Sequence, residues 1–437
     1  MRARHLTILG ATLALLTTAG ATPAVAAVTP LPAEACGALE YGGPGEPSAL
    51  LATDLPMQGA SRTRSLQMVE GVRLSLERRG WQSGGVGIAL QACDDADSHT
   101  GAWSPARCDR NAGFYAANAQ LLGVVGTYNS GCAQRIVPVL NRAGIAVVSP
   151  GNTLVCLTLK AASCGPDEPV KYFPTLRRTY ARVVPNDSYQ GAALATYAVK
   201  TLKARRVVVL SGGDATSTGQ AAALRGAAQA LGARVVAART WNPKATRYRT
   251  LFTSLRRQRP DAILLAGLTE QHGGQLIRDK VAVLGANAGT VKLLAMDGFA
   301  QTSTVSVAGP AAKGMFVSTP GSAPELLTSA LGKQTVAALK ARFPGQPVEP
   351  FAPYATQAAD VLLTSFAANA GKPRPAVADG LFGLSMPGGV IGSFAITLSG
   401  DPTPARVTVS VARTKDFVPL TTVSPKEDTV GGALSTG

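Results

Sequence analysis

"LLGVVGTYNSGCAQRIVPVLNRAGIAVVSPGNT", Leu121 to Thr153, is the stretch whose reading decides the fold. It opens on the apolar run LLGVV and breaks into the small polar cluster GTYNSG. A helix-like segment follows, and a second apolar run, IAVVS, ends in PGNT. Buried Val, Ile and Leu on either side of a helix indicate parallel strands covered on both faces. In open sheets of that kind, ligands sit outside the carboxyl ends of the strands. Small polar residues are also ordinary turn punctuation, but two such clusters on neighbouring strands point to polar groups facing a cleft.

The same alternation runs outward from about residue 48 to 320. SALLATDL reads as a first strand and RSLQMVEGVRLSLERRG as a helix, in which Met68, Val72 and Leu76 step by four and Gly80 closes the segment. After the helix YQGAALATYAVKTL the pattern restarts, with strands RVVVLSGG, ARVVAA, DAILLAG and VKLLAMDG between helices. So many units in one sheet would be unusual, and 437 residues exceed one comfortable core. The expectation is α/β, with two doubly wound parallel-sheet lobes. Beyond residue 320, two helical stretches (323–341 and 352–370) lead to SMPGGVIGS. FAITLSG and ARVTVSVAR then read as a terminal hairpin around DPTP, and the residues after 423 as a loop.

The start of the chain has the pattern of an export signal over residues 1–27. Arg2 and Arg4 give a positive start, LTILGATLALLTTAG an apolar body, and AVA small residues for cleavage near Ala27. An exported, extracytoplasmic protein is expected, and no later apolar run is long enough to span a bilayer. Cys36 lacks the apolar context of a lipidated cysteine. Six cysteines in an exported chain read as disulfides, with 15 possible connectivities. Close spacing favours Cys156–Cys164, then Cys93–Cys108, which leaves Cys36 with Cys132. The formal charge of +16 is spread over short pairs such as Arg78–Arg79 and Arg256–Arg257. Without interleaved aromatics these describe a solvated basic surface rather than a nucleic-acid groove.

The strand-end rule gathers GTYNSG, SPGNT, SGGDATSTG, AGLTEQ and MDGF at cleft-facing edges. Ser130 and Thr153 offer hydroxyls there. Gly131 and Gly151 offer backbone N–H groups at helix N-termini, which suit a carboxylate or another small anion. The plain alternative for Ser130 is a helix N-cap.

At this point the chain resembles a family. LLGVVGTYNSGCAQRIVPVLNRAGIAVVSPGNTLVCLT is similar to the core of type I periplasmic solute-binding proteins, in the Leu/Ile/Val receptor branch of ABC importers. YARVVPNDSYQGAALATYAV resembles that family's first crossover between lobes, RVVVLSGGDATSTGQAAALRGAAQALGARVV its second-lobe core, and LLAMDGFAQ its later cleft loop. The resemblance implies three crossovers, near 183, 321 and 392. Lobe 1 would take 36–183 plus 321–392, lobe 2 would take 184–320 plus 393–422, and 423–437 would be a flexible tail. It further implies a small-molecule ligand, in such receptors an amino acid or a related amide or carboxylate, bound without cofactor or metal, delivery to an ABC permease, and a monomer. By position, the Ser130 hydroxyl and the Gly151 backbone would hold the ligand carboxylate, and Thr153 both carboxylate and ammonium. Tyr128 would cover the side chain, and Asp297 would pair with the ammonium. A turn Asp before Gly298 is the plain alternative for Asp297. Thr216 and Leu268 stand where many members carry aromatics, so a solute other than leucine, isoleucine or valine is allowed, including an amide or a small carboxylate.

Other classes fit less well. An exported hydrolase lacks a GxSxG elbow and paired histidines, since His99 and His272 are the only histidines after the signal. Asp94, Asp95 and Asp97 lack EF-hand spacing and read as a solvated loop. A sensor that closes on its ligand and signals to a membrane partner has the same sequence features.

Overall fold

The computed structural model describes residues 27–435, so almost all of the expected export signal lies outside the described residues. Two separate sheets carry the architecture. The first has the order β2-β3-β1-β4-β5-β6. Its strands are β1 (Ala49–Leu55), β2 (Gln82–Ser83), β3 (Val86–Asp94), β4 (Leu121–Gly126), β5 (Ala146–Ser149) and β6 (Tyr180–Arg182). All neighbours are parallel except the short β2–β3 pair.

Helix α1 (Arg62–Arg78) covers one face of this sheet together with the helix Ala352–Ala368, and Met68, Val72 and Leu76 are fully buried there. Helices α2 (Pro105–Ala117) and α3 (Ser130–Arg142) cover the other face. The step of four along α1 has this cause, because residues four apart share one helix face.

The second sheet begins with β7 (Arg206–Ser211), β8 (Arg234–Thr240), β9 (Ala262–Ala266), β10 (Lys292–Ala295) and β11 (Phe316–Pro320), all parallel. A small antiparallel sheet of β12 (Ser385–Gly389), β13 (Gly392–Ile396) and β14 (Pro402–Thr403) follows in the chain. Then β15 (Val407–Ala412) and β16 (Phe417–Val423) return as antiparallel strands on the β11 edge. Helices α4 (Asp187–Thr196) and α5 (Ala215–Ala230) cover one face of the second sheet, and helices Arg249–Arg256 and Gly273–Leu284 the other. The fold is thus two doubly wound lobes. Among the described residues no helix is long and apolar enough to cross a membrane.

Several expectations need correction. FAITLSG and ARVTVSVAR do not form one hairpin. β13 pairs with β12 and β14, and Phe394 and Ile396 are buried in the first lobe's core, so the third crossing falls between β14 and β15 rather than near 392. The expected flexible tail instead contains helix Glu427–Ser435, which buries Val430 and Ala433 against Leu224 and Ala227 of α5.

The disulfides are Cys36–Cys93, Cys108–Cys132 and Cys156–Cys164. The expected Cys93–Cys108 and Cys36–Cys132 pairs are therefore wrong. Cys36 lies opposite Cys93 because the leading segment runs beside β3, and α2 packs on α3, carrying Cys108 to Cys132. The Cys36 sulfur is bonded to Cys93, which removes it as a lipid attachment point. Nor is the acidic run simply a solvated loop. Asp97 caps an exposed turn, but Asp95 is fully buried.

Candidate functional site

On the first lobe, the loops after β4 and β5 are stitched into one surface. Ser130 opens α3, and its Oγ accepts the N–H groups of Thr153 and Leu154, both at 3.2 Å. Ser149 Oγ accepts from Gly151 and Asn152 at 3.1 and 2.8 Å and donates to the Thr127 carbonyl at 2.8 Å. The Gly151 N–H, expected to face a ligand, is therefore already used within its own loop. Glycine is required there for another reason: a Cβ would lie 2.6 Å from Tyr128 Cδ2. At Gly131 a Cβ would lie 2.4 Å from Trp103 Cη2, so both glycines let an aromatic ring rest on backbone.

Tyr128 is buried edge-on against Phe351, with ring centroids 5.2 Å apart. Its hydroxyl accepts from Arg64 Nη1 at 2.7 Å, and the guanidinium carbon stands 3.7 Å from the ring centroid. Burial pushes the phenol well above its ordinary range.

On the second lobe, Asp297 follows β10 in a tight turn and is buried. Its Oδ1 accepts from Gln190 Nε2 at 2.8 Å and Gln220 Nε2 at 3.1 Å, and its backbone N–H donates to Gln190 Oε1 at 3.1 Å. Burial raises its carboxyl to about 6, while the Gln190 bond and the Arg64 charge restrain the rise. Asp187, at the start of α4, is pushed up to about 7 by burial and by the neighbouring Asp297 charge. Asp214 caps α5, accepting the Ser217 N–H at 3.0 Å. It also accepts from Gln271 Nε2 at 2.6 Å, while Gln271 Oε1 holds the Leu268 N–H at 2.9 Å. The loops after β7 and β9 are thereby tied together.

These walls line one narrow cavity. Tyr128, Ser130, Gly151 and Thr153 line it from the first lobe, and Thr216, Leu268 and Asp297 from the second. The ligand-site candidates read from the sequence are thus brought to one cleft. Trp103, Asn129, Asp214, Ser217 and Gln220 line it as well and were missed. Asp214 carried a readable signal, an Asp three residues before a Ser at a helix start. Trp103 carried none, since it comes from a polar loop remote in sequence from the cleft. His272 lies outside this lining, its Nδ1 3.0 Å from the Ala245 carbonyl.

The lobes touch along a polar seam. Ser61 Oγ donates to Glu270, Arg64 Nη2 stands 3.9 Å from the same carboxylate, and Gln301 Nε2 donates to it at 3.3 Å. Glu349 accepts from the Thr302 backbone N–H at 3.3 Å and from its hydroxyl. Among the described residues, the two groups with metal-like spacing, Asp95–Cys108–Cys132 and Cys156–Cys164–Glu168, have their sulfurs tied up in disulfides.

Two α/β lobes around a polar cleft define a class of cleft-binding proteins, and the comparisons agree. The family model for periplasmic binding proteins matches residues 54–411, and the chain belongs to that family. Among solved structures, a leucine-binding protein, LivK, of Thermotoga maritima superposes with a TM-score of 0.73 at 20% identity, covering 86% of this chain and 99% of that one. The branched-chain amino acid transporter substrate-binding protein LivJ of Streptococcus pneumoniae, in complex with isoleucine, gives 0.71 at 18% identity, with 86% and 99% covered. A solute-binding protein of an ABC transporter from Rhodopseudomonas palustris, in complex with p-hydroxybenzoic acid, gives 0.72 at 16% identity, with 87% and 98% covered. No curated protein sequence matches the chain significantly.

Proposed function

We propose that the protein is an extracytoplasmic receptor that captures a small solute carrying an α-amino acid headgroup and presents it to an ABC permease. The observation that carries this reading is the meeting of the α3 N-terminus, at Ser130 and Gly131, with the buried Asp297 across one cavity. A helix N-terminus favours a carboxylate. A desolvated ammonium needs a charged, hydrogen-bonded partner, and Asp297 is held in place for that role by Gln190 and Gln220. Related folds bind amino acids or aromatic acids, and the acidic wall favours the amino acid.

Solute docks on the first lobe, and the second lobe closes through the Glu270 and Glu349 contacts. Closure is favoured by no more than the ligand's extra affinity for the closed state. The reading involves no catalytic step, cofactor or nucleic acid. It takes residues 1–27 as an export signal and the receptor as a monomer.

A thermal-shift screen of the chain after residue 27, freed of carried-over solute, against amino acids, amides and aromatic acids tests it. A solute that binds only the folded state must raise the melting temperature. Stabilisation by an α-amino acid supports the reading. Stabilisation by aromatic acids alone refutes the headgroup assignment.

A further inference from the structure

We propose that the solute is an α-amino acid with a cationic side chain and that Asp214 receives its side-chain nitrogen. The inference rests on the amino-acid reading above and concerns the part of the cavity beyond the headgroup.

The first observation is charge. Asp214 and Asp297 both line the cavity, and Asp187 lies just behind, bound to the same Gln220 amide as Asp297. Among the described residues no Lys, Arg or His lines this cavity. The nearby Arg64 is already engaged by Tyr128 and Ser61 and faces Glu270. The buried Arg182 is paired with Asp401 at 2.8 Å. A zwitterion adds no net charge and would leave this acidic pocket unbalanced once water is expelled. A solute with a net positive charge offsets it.

The second observation is the excess of acceptors. Asn129, also in the lining, has its Oδ1 buried without a hydrogen-bond donor. Asp214 takes donors from Ser217 N, Ser217 Oγ and Gln271 Nε2. A carboxylate offers about four acceptor positions, so one remains open on this cavity-lining residue. A donor-rich side chain satisfies both groups, whereas an aliphatic one would bury them unpaired.

The third observation is span. Asp214 and Gln220 stand at the two ends of the first turns of α5, and Gln220 reaches Asp297. Six residues of helix rise roughly 9 Å. With these two backbone positions along α5 as anchors, Asp297 suits an α-ammonium and Asp214 a second nitrogen a few methylenes away.

Calorimetric titration near neutral pH of the wild-type and Asp214→Asn chains with L-ornithine, L-lysine, L-arginine, L-alanine and L-leucine tests the inference. Asn caps a helix as well as Asp, so the variant keeps its fold. One basic amino acid is expected to bind about tenfold or more tighter than alanine and leucine. Asp214→Asn should abolish that advantage, so that the basic amino acid binds the variant no tighter than alanine does. Leucine binding tightest, or a basic-side-chain advantage that survives Asp214→Asn, overturns the inference while leaving the amino-acid reading intact. If no amino acid binds the wild type and another solute does, the amino-acid reading itself fails, and the inference fails with it.

Discussion

Asp187 and Asp297 share one amide: Gln220 Nε2 stands 3.1 Å from Oδ1 of each. Both carboxyls are buried, and both hold their protons to a higher pH than a solvated Asp, to about 7 and about 6. In the unfolded chain they would ionise near pH 4. Between those limits the folded state binds more protons, so without solute its stability falls as pH rises from about 4 to 7. Asp54, Asp95 and Glu349, also raised by burial, act in the same direction. Melting curves of wild type and Asp187→Asn across this range isolate the pair. The variant should lose less stability between acid and neutral pH, and equal slopes would remove the pair from the account.

Ser130→Ala should destabilise the empty protein. The hydroxyl is the acceptor for two buried N–H groups, those of Thr153 and Leu154. An unsatisfied buried donor costs about 1–3 kcal/mol. Denaturant titration without solute should therefore show a loss of that order, which makes Ser130 a poor probe of ligand contact alone.

Gly131→Ala should displace the Trp103 indole, because the added Cβ has no room at 2.4 Å from Cη2. A change in tryptophan fluorescence and weaker solute binding are expected together. A variant with the wild-type spectrum and affinity would show that the ring does not shape the cavity.

Glu349→Ala should loosen the seam without altering the cavity lining, since it removes the acceptor for both donors of Thr302. Small-angle scattering of the solute-free variant should give a larger radius of gyration than wild type, and its solute affinity should fall. An unchanged radius would mean that this contact does not hold the lobes together.

Much of this was legible in the sequence, for traceable reasons. The runs LLGVV, RVVVL and AILLA report parallel strands because a strand covered on both faces must be apolar throughout. Parallel strands put all their carboxyl ends on one edge, which is why Ser130, Thr153, Thr216 and Asp297 could be gathered from four distant segments. Close spacing identified the Cys156–Cys164 disulfide but not the other two, because Cys36 meets Cys93 through a β-bridge and Cys108 meets Cys132 through helix packing. Arg64, at the start of α1, carries no sequence signal that separates it from the other arginines, yet it is buried over Tyr128. The small sheet of β12–β14 was misplaced because its alternation reads the same in either lobe, and tertiary burial of Phe394 and Ile396 decides between them.

The most direct measurement is a calorimetric titration of the α-amino acid that best stabilises the wild type, repeated on Asp297→Asn. The substitution keeps the side chain's shape and removes its charge. A charged hydrogen bond contributes about 1.5–3 kcal/mol, so the account predicts roughly a 10–100-fold loss of affinity, with the solute-free variant still folded. An affinity equal to wild type would contradict the claim that Asp297 holds the solute's ammonium in the cleft.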